Sequence, residues 1–220
     1  MPAKKDPRDT LIAAAMELAA ERSWHSVTLI DISQKAGLSL ADIYPLFKNK
    51  SDILRAFVRK MDMRVLADLD SADFDQPRHD RLMDVIMARF DALAPYRPAL
   101  KSILHDFGDV GLADGARAAK TGFASMRWML EAAGFETGGI QGSLRVAGMG
   151  AIYARSFRQW LDDESPDYGP TMALLDKSLN QAGGWDSRLG KGLARVGTLR
   201  SKFAQRCPKT ATDHGEAVAD

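Results

Sequence analysis

Apolar residues return every third or fourth position through nearly the whole chain, and no stretch alternates apolar and polar residues for more than a few positions. That period is the mark of helices with one buried face, and it leaves little room for strands. Leu11, Ala14, Ala15, Leu18 and Ala19 show it first, all on one side of a predicted helix. Extended along the chain, the pattern predicts an all-α protein of about nine helices, with a tenth possible in the tail.

Punctuation between the apolar runs places the breaks. Thr28 followed by Asp31 predicts an N-cap with an acid in the first turn. Gly37 suits the left-handed residue that closes a helix, and Ser39 caps the next one, read as Leu40 to Phe47 with Pro45 near its end. Ser51, Ile53 and Leu54 start a longer helix to about Asp70, and Ser71–Pro77 is a polar connector. Helices follow over His79–Ala94, Tyr96–Phe107 and 116–133, with Gly108–Gly115 as a loop and Gly134 as a stop. Gly138-Gly139 precedes a long helix through Leu161, and Pro166 is expected to open a last core helix that ends at Gly183-Gly184.

Composition sets outer limits. The chain has 220 residues, a net charge of +1 and one cysteine, Cys207, so an internal disulfide and a Cys-based zinc cluster are excluded. Charge is unevenly spread: +3 over residues 1–60, −5 over 61–183 and +3 over 184–220. That distribution suits a nucleic-acid-binding head on a neutral-to-acidic body, and equally a solvated surface with chance variation. No apolar run reaches the length of a membrane span and the N-terminus lacks an apolar signal core, so a cytoplasmic location is expected. His25, His79, His105 and His214 have no metal-ligand spacing, and no Gly-rich phosphate loop follows a strand. An enzyme is therefore the least favoured class, with neither cofactor nor metal expected.

The informative constellation is Thr28 to Phe47: two short helices around a tight turn with Gly37 at its corner. Ile32, Ala36, Leu38, Ile43 and Phe47 can face a shared core with the first helix. One side of the second short helix is then left exposed, able to enter a DNA major groove. Spaced along the chain are Leu11 to Ala20, Thr28, Ile32-Ser33, Gly37-Leu38-Ser39, Tyr44-Pro45-Leu46-Phe47 and Lys50-Ser51-Asp52-Ile53-Leu54. In that order and spacing these segments closely resemble the helix-turn-helix domain of TetR-family transcriptional regulators. The resemblance implies a three-helix DNA-binding head over residues 1–60, a helical ligand-binding and dimerisation bundle over 61–184, and a separate basic tail over 185–220. It further implies that Thr28, Tyr44, Lys48 and Lys50 face the DNA backbone, that Leu40, Ala41 and Asp42 face base edges, and that Ser39 belongs to the same DNA-binding set. Helix N-termini, where Thr28 and Lys50 stand, are suited to phosphates. Capping and packing alone would also account for Thr28 and Tyr44. The second helix departs from the family in offering no Arg, Asn or Gln, the commonest base readers, and in carrying Pro45 where a polar or basic residue is usual.

The same resemblance implies a homodimer paired through two late helices, here 140–161 and 166–182, and a pseudo-palindromic double-stranded DNA operator. Gly148 and Gly150, beside Ala147 and Ala151, would allow close helix approach. Met126, Met129, Met149, Tyr153 and Phe157, with Trp128, form an apolar stripe that would suit a small apolar ligand or simply fill the core. The expected activity is a repressor released from its operator by such a ligand.

A second resemblance lies in the C-terminal half. Gly150-Ala151-Ile152-Tyr153, Trp160 to Asp167 and Leu174-Leu175-Asp176-Lys177 are similar to a lipid-binding accessory protein of ubiquinone biosynthesis that shares the fold. It implies, as an alternative, an isoprenoid-lipid carrier at a membrane. Residues 188–206 fit that reading, with Leu189, Leu193, Val196, Leu199 and Phe203 set among arginines and lysines. Such an amphipathic helix suits peripheral membrane contact, packing on its own body, or non-specific DNA affinity. The Asp-Glu-Ser-Pro-Asp run has a plainer use as an acidic loop before a helix.

Overall fold

The computed structural model describes residues 6–69, 75–106 and 112–183, and every regular element among them is helical. They are α1 (Pro7–Glu21), α2 (Leu29–Ala36), α3 (Leu40–Ile43), α4 (Lys50–Ala67), α5 (Arg78–Leu93), α6 (Arg97–Asp106), α7 (Leu112–Ala132) and α8 (Gly139–Asp162). A further helix, α9, covers residues 169–183. The expected amphipathic tail over 188–206 lies outside the described residues.

α1 begins where Asp6 accepts the backbone N–H of Arg8 at 2.9 Å and Pro7 supplies the first helical residue. Its five expected core residues are all buried, together with Ile12 and Met16. They pack against α2, α4 and α6, so the first helix fastens the head onto the body. The division expected after residue 60 falls inside α4, one continuous helix shared by head and body.

Several boundaries differ from expectation for local reasons. α3 stops at Ile43 and continues only as a turn, because Pro45 has no N–H to donate to the carbonyl one turn back. α7 starts at Leu112, inside the expected loop. Pro166 lies in a turn, and α9 begins two residues before Thr171 with Pro170 in its first turn. Tyr168, at φ 52°, makes the break between them. The carboxylate of Asp163 then reaches forward to the N–H of Thr171 at 3.0 Å and its hydroxyl at 2.6 Å, capping α9. Burial opposes ionisation of Asp163, but these bonds and those from Ser165 outweigh it and hold its pKa down to about 2.

The body core is built around stacked rings. Phe90 of α5 lies 5.6 Å from Tyr153 and 5.3 Å from Trp160 of α8, and Phe157 continues the stack. Arg97 covers the other side of Trp160 at 4.4 Å and donates to the carbonyl of Asp163 at 2.7 Å. Four helices meet at one buried polar point. Asp62 of α4 is ion-paired with Arg89 of α5, accepts the hydroxyl of Ser125 on α7 at 2.9 Å, and Arg89 Nε donates to the Tyr153 hydroxyl on α8 at 3.0 Å.

Candidate functional site

The helix-turn-helix is assembled by local rules. Thr28 and Asp31 cap α2 reciprocally: the Asp31 N–H donates to the Thr28 hydroxyl oxygen at 3.2 Å, and the Asp31 carboxylate accepts the Thr28 N–H at 2.8 Å. Gly37 closes α2 at φ 66°, in the left-handed region that a side chain disfavours. There the N–H of Leu38 bonds back to Ser33 at 3.0 Å. Ser39 and Asp42 repeat the reciprocal cap at the start of α3. The hydroxyl and the backbone N–H of Thr28, and then the Arg22 guanidinium, donate to the Asp31 carboxylate and hold its pKa at about 2. Ser39 holds Asp42 below its ordinary value in the same way.

Ile32, Ile43 and Phe47 are buried beneath this pair, with Ala36 and Leu38 partly so. Fixing those residues inward turns Leu40, Ala41, Asp42, Tyr44 and Lys48 outward on one surface. Tyr44 is 85% exposed and Leu40 48%. Thr28 and Ser39 are also exposed, but each donates its hydroxyl hydrogen to its capping carboxylate, at 2.7 Å in both cases. Neither has a second hydroxyl hydrogen for a phosphate, which favours the capping use of both.

Lys50 corrects an expectation. Instead of facing outward at the α4 N-terminus, its ammonium turns back and donates to the carbonyls of Trp24, His25 and Val27 at 2.8, 3.1 and 3.1 Å. It also lies 5.1 Å over the Trp24 ring. Three donors meet three carbonyls, which favours a role in fastening this turn. Burial lowers its pKa, opposed by the charge of Asp106. A cation in the first turn of a helix meets an unfavourable dipole, which was the one signal that Lys50 would point elsewhere. Asn49, overlooked in the sequence, caps α4 by accepting the Asp52 N–H at 2.9 Å.

The same turn is latched to the body. Asp106 of α6 accepts the Ser23 hydroxyl at 2.7 Å and the His25 N–H at 2.8 Å, and the Ser102 hydroxyl accepts the Trp24 N–H at 3.1 Å. The bond from Ser23, then those from His25 and His105, hold Asp106 at about 2. A carboxyl lowered in the folded state adds stability above its unfolded pKa and loses it as pH falls through the folded value. Urea unfolding should therefore give level stability down to about pH 4, near the ordinary carboxyl value, and a fall toward pH 2. Asp106→Asn should make that acid fall shallower, and an unchanged acid limb would remove Asp106 from the latch.

Beneath the latch lies a cavity of about 270 Å³. Trp24, Leu54 and Phe57 reach it from the head side, Tyr153 and Phe157 from the body, and Arg55, Arg89 and Arg117 also line it. Tyr153 and Phe157 stand where a ligand stripe was expected. Met126, Met129 and Met149 do not: they are 2%, 0% and 3% exposed, inside the core and away from the cavity wall. The outer side of α8 carries Ile140, 73% exposed, and Leu144, with exposed Ala147, Gly148 and Ala151. Gly150 is taken by Phe123 of α7, whose ring would press on any side chain there, so it serves packing within the chain.

Residues 11–57 match the sequence profile of the family described as "Bacterial regulatory proteins, tetR family". The structure is similar to the TetR transcriptional regulator from Nitrosomonas europaea ATCC 19718, with a TM-score of 0.65 and 26% identity over 81% of this chain and 99% of that one. The chain has a TetR-family head and the TetR-family fold. It is also similar to a TetR transcriptional regulator from Rhodococcus sp. RHA1, with a TM-score of 0.60 and 18% identity over 80% of this chain and 94% of the other. For a tetR-family regulator from Streptomyces coelicolor the TM-score is 0.55 and the identity 21%, over 88% and 89% of the two chains. No curated protein sequence matches the chain.

The matched profile and the similar structures belong to TetR-family transcriptional regulators. None of these comparisons supports the lipid-carrier alternative, and the Asp162–Asp167 run that suggested it does structural work through Asp163. No described helix is long and apolar enough to cross a membrane.

Proposed function

We propose that the protein is a homodimeric, cytoplasmic transcriptional repressor whose heads each read one half-site of a pseudo-palindromic operator. The observation that carries this reading is the outward surface of α3. Leu40, Ala41, Tyr44 and Lys48 are exposed together while Ile43 and Phe47 anchor the helix from beneath. Tyr44 and Lys48 would hold phosphates, and Leu40 and Ala41 would meet thymine methyl groups. Asp42 has one carboxylate oxygen engaged by Ser39 and the other available to a cytosine amino group. Pairing would use the exposed small-residue side of α8 together with α9.

Regulation would come from an apolar ligand in the cavity. Its wall includes Trp24, the residue whose carbonyl Lys50 holds and whose N–H Ser102 holds. A ligand pressing on Trp24 would shift the population between head spacings that fit the operator and those that do not.

Selection of bound fragments from sheared genomic DNA tests the reading. It should recover a two-fold symmetric sequence whose half-sites lie about 34 Å apart, one helical turn, or a multiple of that. Recovery of fragments without shared symmetry would contradict it. Lys50→Ala should lower stability by about 1–3 kcal/mol, the usual effect of stranding buried acceptors, and weaken operator binding through the displaced turn. The salt slope of binding should stay as in the wild type, because Lys50 neutralises no phosphate. A slope reduced by about one would return Lys50 to direct contact.

A further inference from the structure

We propose that the cavity beneath the head selects an apolar organic anion, a hydrocarbon or ring body ending in one carboxylate. This rests on the reading of the cavity as the ligand site and names the chemistry it prefers. Among the described residues the wall carries three arginines, Arg55, Arg89 and Arg117, and no aspartate or glutamate, while the rest of it is dominated by aromatic and aliphatic side chains. Arg89 is almost wholly buried, and Arg55 is about a third exposed. Both already have a carboxylate, Asp62 and Asp52 respectively, and neither of those carboxylates lines the cavity.

Those pairings fix the guanidinium planes without exhausting them. A guanidinium offers five N–H donors, and Arg89 gives one to the Tyr153 hydroxyl while Asp62 occupies another nitrogen. A carboxylate entering the cavity meets donors already held in place, in surroundings of low dielectric where charge–charge attraction is strong. A neutral ligand of the same shape makes weaker bonds to those donors, and a cation meets guanidinium donors that cannot accept from it. The rings of Trp24, Phe57, Tyr153 and Phe157 take the apolar body.

The test is calorimetric titration of the full chain, without DNA, using decanoate, 1-decanol and decyltrimethylammonium below their aggregation limits. Decanoate should bind at least ten-fold more tightly than decanol, with the ammonium weakest. Arg55→Gln and Arg117→Gln should each reduce the decanoate-to-decanol ratio several-fold while leaving decanol affinity unchanged, a split that loss of fold would not produce. Thr121→Trp, which fills the cavity from α7, should abolish decanoate binding; persistence would place the anion elsewhere and overturn the inference. Equal affinities for decanoate and decanol would overturn the anion preference and leave the ligand site standing. No binding by any of the three would overturn the ligand reading of the cavity as well.

Discussion

Asp62→Ala should lower stability by about 3–5 kcal/mol, the usual effect of leaving a buried charge without its partner. Asp62 and Arg89 are both buried, and Asp62 also holds Ser125, so a single truncation strands groups on α5 and α7 together. Domains of this kind are stable by about 5–15 kcal/mol, so the variant should lose a large share of its stability. Removing both charges should be far milder. Asp62→Leu with Arg89→Met leaves no buried ion, and replacing a buried pair with apolar groups of similar volume is often neutral or stabilising. Urea unfolding of the single and double variants measures the difference. A loss below about 1 kcal/mol for Asp62→Ala would match a solvent-exposed pair and contradict the buried junction.

Tyr44→Ala should weaken operator binding by about 10- to 100-fold, the equivalent of losing a hydrogen bond of roughly 1.5–3 kcal/mol to a charged phosphate. Stability should change by less than about 0.5 kcal/mol, because a side chain 85% exposed contributes little to packing. Tyr44→Phe separates the hydroxyl from the ring and should show most of the same loss. Since tyrosine is neutral, neither variant should alter the salt slope, whereas Lys48→Ala should lower it by about one per head engaged. Titration by fluorescence anisotropy at several salt concentrations reads all of these together. Wild-type affinity in Tyr44→Ala would remove α3 from the interface.

Features set by near neighbours were legible in the sequence. The Leu11–Ala19 stripe, the Thr28–Asp31 cap and the left-handed Gly37 each depend on residues within a few positions, and each stands where expected. Boundaries were harder where two prolines competed. Pro166 and Pro170 both suit a first turn, and the choice rests on Asp163 reaching Thr171 across the loop. Contacts between distant segments left almost no local trace. Asp106 meets the turn at Ser23 from 83 residues away, and Asp62 meets Ser125 across 63. The ligand stripe shows the same limit: helical spacing places Met126, Met129, Met149, Tyr153 and Phe157 on inward faces. Only the packing of α4 and α8 against α7 decides which of them border empty space.

The most direct measurement of the central claim is binding of the purified protein to the DNA upstream of its own gene and to random duplex, at 50 and 200 mM salt. The account predicts selectivity for the upstream site of at least about a thousand-fold, retained at the higher salt, on top of a shared electrostatic slope. Equal affinity for both duplexes, falling together as salt rises, would contradict it.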